Sequence, residues 1–411
     1  MLSHGEPIVE LSDVRRAAAT LIGVALDTPC FRSEAISRRC GAEVFLKYEN
    51  RQHTSSYKVR GAYVKLASLG RCERERGLVT ASAGNHAQGL AYAASRLGAS
   101  STIVMPETTP YCKIRGTESF GGRVRLHGAT LAAAMEEARR IAACEDRVFV
   151  SGFDDPAVVA GAGTVALEML EAAADLDVLL VQVGGGGLIA GMALVAKALN
   201  PDIRVIGVQA ALYPGLYNAL HGLPAPAGGA TLAEGLAVAQ VGDLNLRMLR
   251  ALVDDVLLVG EETLEQAVHV LLEEEKTVVE GAGAVGVAAL LEHRHRFEGL
   301  RVGAVLSGGN IDTGLLANVI SRVRLRQRRV VCLRAEMLDT PGGLATVAGV
   351  VARHGANVLE VSHRRMFPNV LAKCMQLDLT VEVRRPPDVD AILAALNEMG
   401  FVTTIPQEKP A

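Results

Sequence analysis

Short apolar runs recur along most of the chain, each bounded by polar or glycine-containing stretches. AEVFLKYEN (42–50), GLVTAS (77–82), STIVMP (101–106), RVRLHG (123–128), RVFV (147–150), VLLVQV (178–183), RVIGVQA (204–210), DDVLLV (254–259) and RVGAVLSGGN (301–310) read as strands. Several are apolar at consecutive rather than alternate positions, the mark of strands covered on both faces. The segments between them are longer and read as helices. SDVRRAAATLIG (12–23) is an Ala-rich run that stops at a glycine, and 58–69 and 85–98 are helical as well. Strands alternating with helices predict an α/β architecture with open, parallel sheets.

The pattern changes near residue 321. SRVRLRQRRV (321–330) carries five arginines in ten residues and reads as a solvated helix end. Beyond it the order is strand (330–337), helix (344–355), strand (357–366), strand (372–383), helix (388–400) and strand (401–406). This βαββαβ succession is the split ferredoxin-like unit. The expected organisation is a large domain over 1–322, with a smaller subdomain at roughly 50–155, a basic linker over 323–329 and a small domain over 330–411.

Composition narrows the function classes. A net charge of −3 on 411 residues gives no basic surface for nucleic acid. No uninterrupted apolar run is long enough to cross a membrane. The seven cysteines (30, 40, 72, 112, 144, 332, 374) form no C-x-x-C pair, which predicts reduced thiols. The opening residues MLSHGEPIVELSDV have neither a basic flank nor an apolar core of an export signal, so a cytoplasmic protein is expected.

The chemistry concentrates where strands end. Gly184, Gly185, Gly186 and Gly187 follow the apolar run 178–183 and precede the helix-like run 188–199. A strand, a glycine turn and a helix start bring backbone N–H groups around one point, a phosphate-binding geometry. A plain turn needs one or two glycines, so four suggest a ligand. Gly185-x-Gly187-x-x-Ala190 also fits a dinucleotide fingerprint. That reading needs an acid about 20 residues on, for the ribose. The next strand ends in Gln209-Ala210 instead, so a cofactor with a single phosphate suits the loop better.

Ser55-Ser56-Tyr57-Lys58 opens a helix. A cation gains nothing from a helix start, and a desolvated lysine there is a usable amine nucleophile; taken alone, it reads rather as a surface lysine. Ser82-Ala83-Gly84-Asn85-His86 stands at a strand's C-terminal edge, where open α/β sheets collect ligands. Ser82 and Asn85 could hold a carboxylate or simply cap the helix. Ser307-Gly308-Gly309-Asn310 puts another hydroxyl at such an edge.

Taken together, SSYKVRGA (55–62), ASAGNHAQGLAYAA (81–94), VMPETTPYCK (104–113), VGGGGLIAG (183–191), TLAEGLAV (231–238), VVEGAGA (278–284) and LSGGNID (306–312) resemble the fold-type II pyridoxal-phosphate enzymes. Within them the chain is similar to the threonine dehydratase (threonine ammonia-lyase) family. Residues 330–406 resemble an ACT domain, a regulatory ferredoxin-like module, with DTPGGLA at its first loop. The resemblance implies two open α/β subdomains, bound pyridoxal 5'-phosphate and β-elimination of L-threonine to 2-oxobutanoate and ammonia, with side activity on L-serine.

It also implies roles. Lys58 corresponds to the Schiff-base lysine and, with Ser82, to the catalytic residues. Tyr57 takes the place of a Phe beside the cofactor ring. Gly184, Gly185, Gly186, Gly187 and Leu188 correspond to the phosphate cup, Asn85 to the partner of the ring's phenolic oxygen, and Ser307 to that of its nitrogen. Ser82, Gly84, Asn85 and His86 belong to the substrate-carboxylate loop. A small effector is expected around Asp339, Gly342, Gly343 and Leu344, and a homo-oligomer (dimer or tetramer) is implied. Five departures stand out: Ser55 for a Gly, Tyr57 for a Phe, Ala162 for a Gln, Glu234 as the acid where the family has A-D-G, and Gln209-Ala210 for a Glu-Pro that helps form a cation site in relatives, so no metal is expected. Serine dehydratase or racemase activity is the alternative within the fold. A non-catalytic amino-acid sensor and a dehydrogenase are the alternatives outside it.

Overall fold

The computed structural model describes residues 9–225, 228–364 and 371–406. It divides into two compact units, Met1–Thr313 and Gly314–Ala411. In chain order the strands are β1 (Cys30–Arg32), β2 (Glu43–Lys47), β3 (Leu78–Ala81), β4 (Ser101–Met105), β5 (Arg123–Leu126), β6 (Val148–Phe149), β7 (Val178–Gln182), β8 (Arg204–Ala210), β9 (Asp255–Val259), β10 (Arg301–Val305), β11 (Val330–Leu338), β12 (Asn357–Arg364), β13 (Cys374–Glu382) and β14 (Val402–Thr404).

The first unit contains two sheets. One has the order β1-β2-β10-β7-β8-β9, the other β5-β4-β3-β6. The second sheet is wholly parallel. In the first, only the edge strand β1 runs antiparallel, pairing with β2. The fully buried strands β3, β4 and β7 are the runs that read as continuously apolar. Helices cover them, as parallel sheets require. β1 escaped the sequence pattern because three residues are too few to carry a period.

The main core forms where the helices Pro156–Ala172 and Gly187–Leu199 pack together on β7. Val159, Val165, Met169, Leu179, Val181, Ile189, Met192 and Val195 are all fully buried there. Each such side chain contributes on the order of 1.5–3 kcal/mol of burial free energy.

The second unit carries the sheet β12-β13-β11-β14, all antiparallel. Helices Gly343–Arg353 and Pro387–Glu398 bury Val347, Val350, Ile392 and Leu396 against Leu333, Leu377 and Leu379. This is the βαββαβ unit read from the sequence; the expected strand 357–366 ends at Arg364, and its last two positions lie outside the described residues. The arginine-rich stretch is mostly helical, forming the end of the helix Thr313–Arg326. No helix among the described residues is long and apolar enough to cross a membrane.

Candidate active site

The C-terminal edges of three parallel strands deliver the polar residues to one place. β3 is followed by Ser82 and the helix Asn85–Arg96, β7 by the glycine run and the helix Gly187–Leu199, and β10 by Ser307. Lys58 begins the helix Lys58–Ser68 and lines the same cavity. Tyr57, Lys58, Ser82, Gly84, Asn85, His86, Gly184, Gly185, Gly186, Gly187, Leu188 and Ser307 all line a single cavity of about 580 Å³. Asp339, Gly342, Gly343 and Leu344 belong to the second unit, at and just before the start of the helix Gly343–Arg353.

The Lys58 ammonium donates to the carbonyl of Gly152 at 2.8 Å and lies 5.1 Å from the Tyr57 ring centre. The turn leading to it is strained: Ser55 has φ +52°, a left-handed conformation that suits glycine better.

Asn85 is clamped at both ends of its amide. Its Nδ2 donates to Glu280 Oε1 at 2.5 Å, and its Oδ1 accepts from Asn310 Nδ2 at 2.6 Å. Burial, opposed by the Asn85 hydrogen bond and the Lys113 and Lys58 charges, pushes the Glu280 carboxyl up to about 7. Lys113 pairs in turn with Glu234 beside the cavity.

The His86 ring is turned toward the Val150 carbonyl, 3.3 Å from Nε2. Burial and then the nearby Lys58 charge hold it down at about 4, so it is neutral near pH 7. What His86 offers the cavity is its backbone. The N–H groups of Asn85 and His86 find no acceptor among the described residues, and the Ser82 hydroxyl stands beside them, accepting from Gly84 N at 3.3 Å. Two free donors and a hydroxyl at a helix start suit a carboxylate.

The glycine run needs a different account from its length. A Cβ on Gly184 would lie 3.1 Å from Gly235 O, one on Gly185 2.2 Å from the Phe153 ring, and one on Gly187 2.7 Å from Phe153 O. Gly186 has φ +94° and is crowded by Val241 and Asn245. Neighbouring loops therefore explain all four glycines, and their number alone does not require a ligand. The donors do. The N–H groups of Gly184, Gly185, Gly186, Gly187 and Leu188 donate to no acceptor among the described residues, although all five residues are buried. Consecutive buried donors without partners are rare. This set, at the start of a 13-residue helix, fits a phosphate. Ser307, 4% exposed and with no hydrogen bond from its hydroxyl among the described residues, fits a neutral contact to a ring nitrogen on the same cavity.

Gln209 is fully buried and completely satisfied. Its Nε2 donates to Val183 O (3.2 Å) and Tyr213 O (3.1 Å), while Oε1 accepts from Leu216 N and Tyr217 N at 3.0 Å. It ties the end of β8 to the next helix.

Several residues were missed by sequence reasoning. Glu280 and Asn310 lie inside quoted segments, and a lone acid in TVVEGAGAVG was a signal of the former. The loop SGFDDP (151–156), which holds Lys58 and covers the glycine run, carries no pattern that singles it out.

Unpartnered donors that fit a phosphate, an amine, and donors that fit a carboxylate around one cavity suit an enzyme that works on amino acids through a phosphorylated aldehyde cofactor. Residues 23–308 match the profile of the family described as pyridoxal-phosphate dependent enzyme, and residues 333–401 match the ACT domain. The chain belongs to the pyridoxal-phosphate dependent enzyme family, its cofactor is pyridoxal 5'-phosphate, and its second unit is an ACT domain. It is 41% identical over 400 residues to the L-threonine ammonia-lyase of Thermotoga maritima, covering 97% of this chain and 100% of that protein. Among solved structures, the processed form of threonine deaminase isoform 2 from Solanum lycopersicum superposes with a TM-score of 0.72 at 32% identity, covering 79% of this chain and 92% of that one. Maize serine racemase gives 0.72 at 31% identity, covering 78% and 99%.

Proposed function

We propose that this protein is a threonine ammonia-lyase: it eliminates the hydroxyl of L-threonine and releases 2-oxobutanoate and ammonia, with L-serine as a secondary substrate. The match along the whole of a relative bearing that name supports the substrate. The observation that carries the chemistry is the row of unpartnered donors at residues 184–188 on the cavity that also receives Lys58.

Bound pyridoxal phosphate supplies an aldehyde carbon and an electron-withdrawing ring that weaken the Cα–H bond of an amino acid. The protein's residues do the rest. The N–H groups from Gly184 to Leu188 hold the phosphate. Lys58 Nζ would hold the aldehyde carbon and, as a free amine, would take the substrate's Cα proton as general base. Ser82 Oγ and the N–H groups of Asn85 and His86 hold the substrate carboxylate. The second Nδ2 hydrogen of Asn85 would serve the phenolic oxygen, and Tyr57 would flank the ring. Ser307 Oγ would meet the ring nitrogen as a neutral group.

The ACT domain supplies control through a small effector, proposed at the loop bearing Asp339, Gly342, Gly343 and Leu344. A homo-oligomer in the cytoplasm completes the reading, and the seven free thiols suit that compartment.

Purified protein should convert L-threonine to 2-oxobutanoate and show visible absorbance that borohydride bleaches. Lys58→Ala should lower turnover at least about 10³-fold, the scale of a lost base and nucleophile, with its unfolding midpoint unchanged. Wild-type turnover in that variant would overturn the role of Lys58. D-serine from L-serine in place of oxo acids would overturn the lyase reading.

A further inference from the structure

We propose that Asn245 is a positioning residue for the phosphate cup, a role that rests on the reading of residues 184–188 as that cup. Asn245 is completely buried in the helix Asp243–Leu252. Its Nδ2 donates to Gly185 O at 2.8 Å and to Phe153 O at 3.0 Å. Two carbonyl partners fix which end of the amide is nitrogen, and Oδ1 is left without a partner. A buried acceptor without a partner is costly. The side chain is therefore held for what its nitrogen does.

What it does follows from the planarity of the peptide. In a trans peptide the C=O of one residue and the N–H of the next point in opposite directions. Asn245 Nδ2, together with Gly242 N at 3.1 Å, anchors the Gly185 carbonyl on one side. The Gly186 N–H is thereby aimed to the other side. With Gly186 at φ +94° and no Cβ to brace it, the run has little stiffness of its own. The anchor replaces that stiffness.

The second bond gives the anchor its reference point. Phe153 sits in the loop that also holds Lys58, through Gly152 O. Asp154 of that loop accepts the backbone N–H of Asn245 at 3.3 Å, and Asp155 caps the helix Pro156–Ala172 through Ala157 N at 2.9 Å. Those two bonds do not involve the Asn245 side chain, so the loop and Lys58 stay in place without it. Loss of the side chain releases the cup alone.

The test compares two probes on full-length apoprotein: pyridoxal 5'-phosphate, and pyridoxal, which offers the same aldehyde without the phosphate. Binding is followed by the absorbance of the lysine-bound form. Wild type should prefer the phosphorylated probe strongly. Asn245→Ala should bind it about tenfold more weakly, the scale of one buried hydrogen-bonding group, with pyridoxal affinity unchanged within about twofold. Asn245→Asp, which sets a carboxylate against two carbonyl oxygens, should lose more. Should Asn245→Ala fail to fold by circular dichroism, Asn245→Ser carries the same comparison. Equal weakening toward both probes, or none toward either, overturns the proposal. A wild type that does not prefer the phosphorylated probe overturns the phosphate-cup reading instead.

Discussion

A carboxyl enclosed by a cavity keeps its proton to higher pH than one in water, and Glu280 does so up to near neutral pH. Burial raises it from 4.5 to about 7, with the Asn85 hydrogen bond and the Lys113 charge opposing and Glu234 assisting. Between those values the folded apoprotein holds a proton that the unfolded chain has lost. Raising the pH through that window therefore destabilises the fold, and below it the effect vanishes. Glu280→Gln removes the titration. The stability of the variant relative to wild type should rise by about 2 kcal/mol between about pH 5 and pH 8, after allowance for the partial exposure of the group. Guanidinium unfolding at the two pH values measures it, and a difference that stays flat would refute burial as the dominant influence. The sequence showed which residues carry polar chemistry at strand ends, because short polar segments stand out between apolar runs. It did not show that Glu280 and Asn310 grip the two ends of the Asn85 amide, since that requires residues far apart in the chain to meet.

Elements, too, are set by contacts that no periodicity encodes. The helix Pro156–Ala172 touches the Lys58 helix on one side and the Gly187 helix on the other, at glycines in each case. A Cβ on Gly161 would lie 2.7 Å from Gly61 Cα and 2.8 Å from Arg60 O, and one on Gly191 would lie 2.3 Å from Val159 O and 2.6 Å from Gly163 N. Backbone against backbone brings the helix bearing the amine and the helix bearing the phosphate donors onto one shared support. The sequence made the helices legible, but in the GAG run (161–163) only the departure at Ala162 could be read, not the packing of its glycines. Gly191→Ala should cost about 3 kcal/mol, because the neighbours are backbone atoms that cannot rotate away. Gly260 has nothing within 4 Å of its would-be Cβ, and Gly260→Ala should stay within about 0.5 kcal/mol. Denaturant unfolding of the two apoproteins compares them directly. An equal cost at both sites would remove the close-approach argument.

At the scale of the whole chain, the two units are stabilised separately. The buried cluster around the Gly187 helix draws on residues from Val9 to Val305, and that of the ACT domain on residues from Val331 to Leu396, with none in common. The break was legible at the level of pattern, because an α/β alternation gives way to βαββαβ after an arginine-rich stretch. Its position was less so: the division falls at Thr313–Gly314, at the start of a helix that continues to Arg326, and a continuous helix carries no compositional sign of a boundary. Separate cores make catalysis and control separable. Every residue proposed to hold cofactor or substrate lies before residue 313, and the proposed effector loop lies after it. A chain ending at Arg326 should therefore bind pyridoxal phosphate and eliminate water from L-threonine at a rate within about threefold of the full chain when saturated. It should lose any response to isoleucine, valine or AMP that the full chain shows in calorimetry and in its rate curve. Heat of binding that survives the truncation would move the effector site out of the ACT domain. A full chain indifferent to all three compounds would withdraw them as effectors while leaving the separation of the two cores intact, since the truncated enzyme's activity tests that by itself.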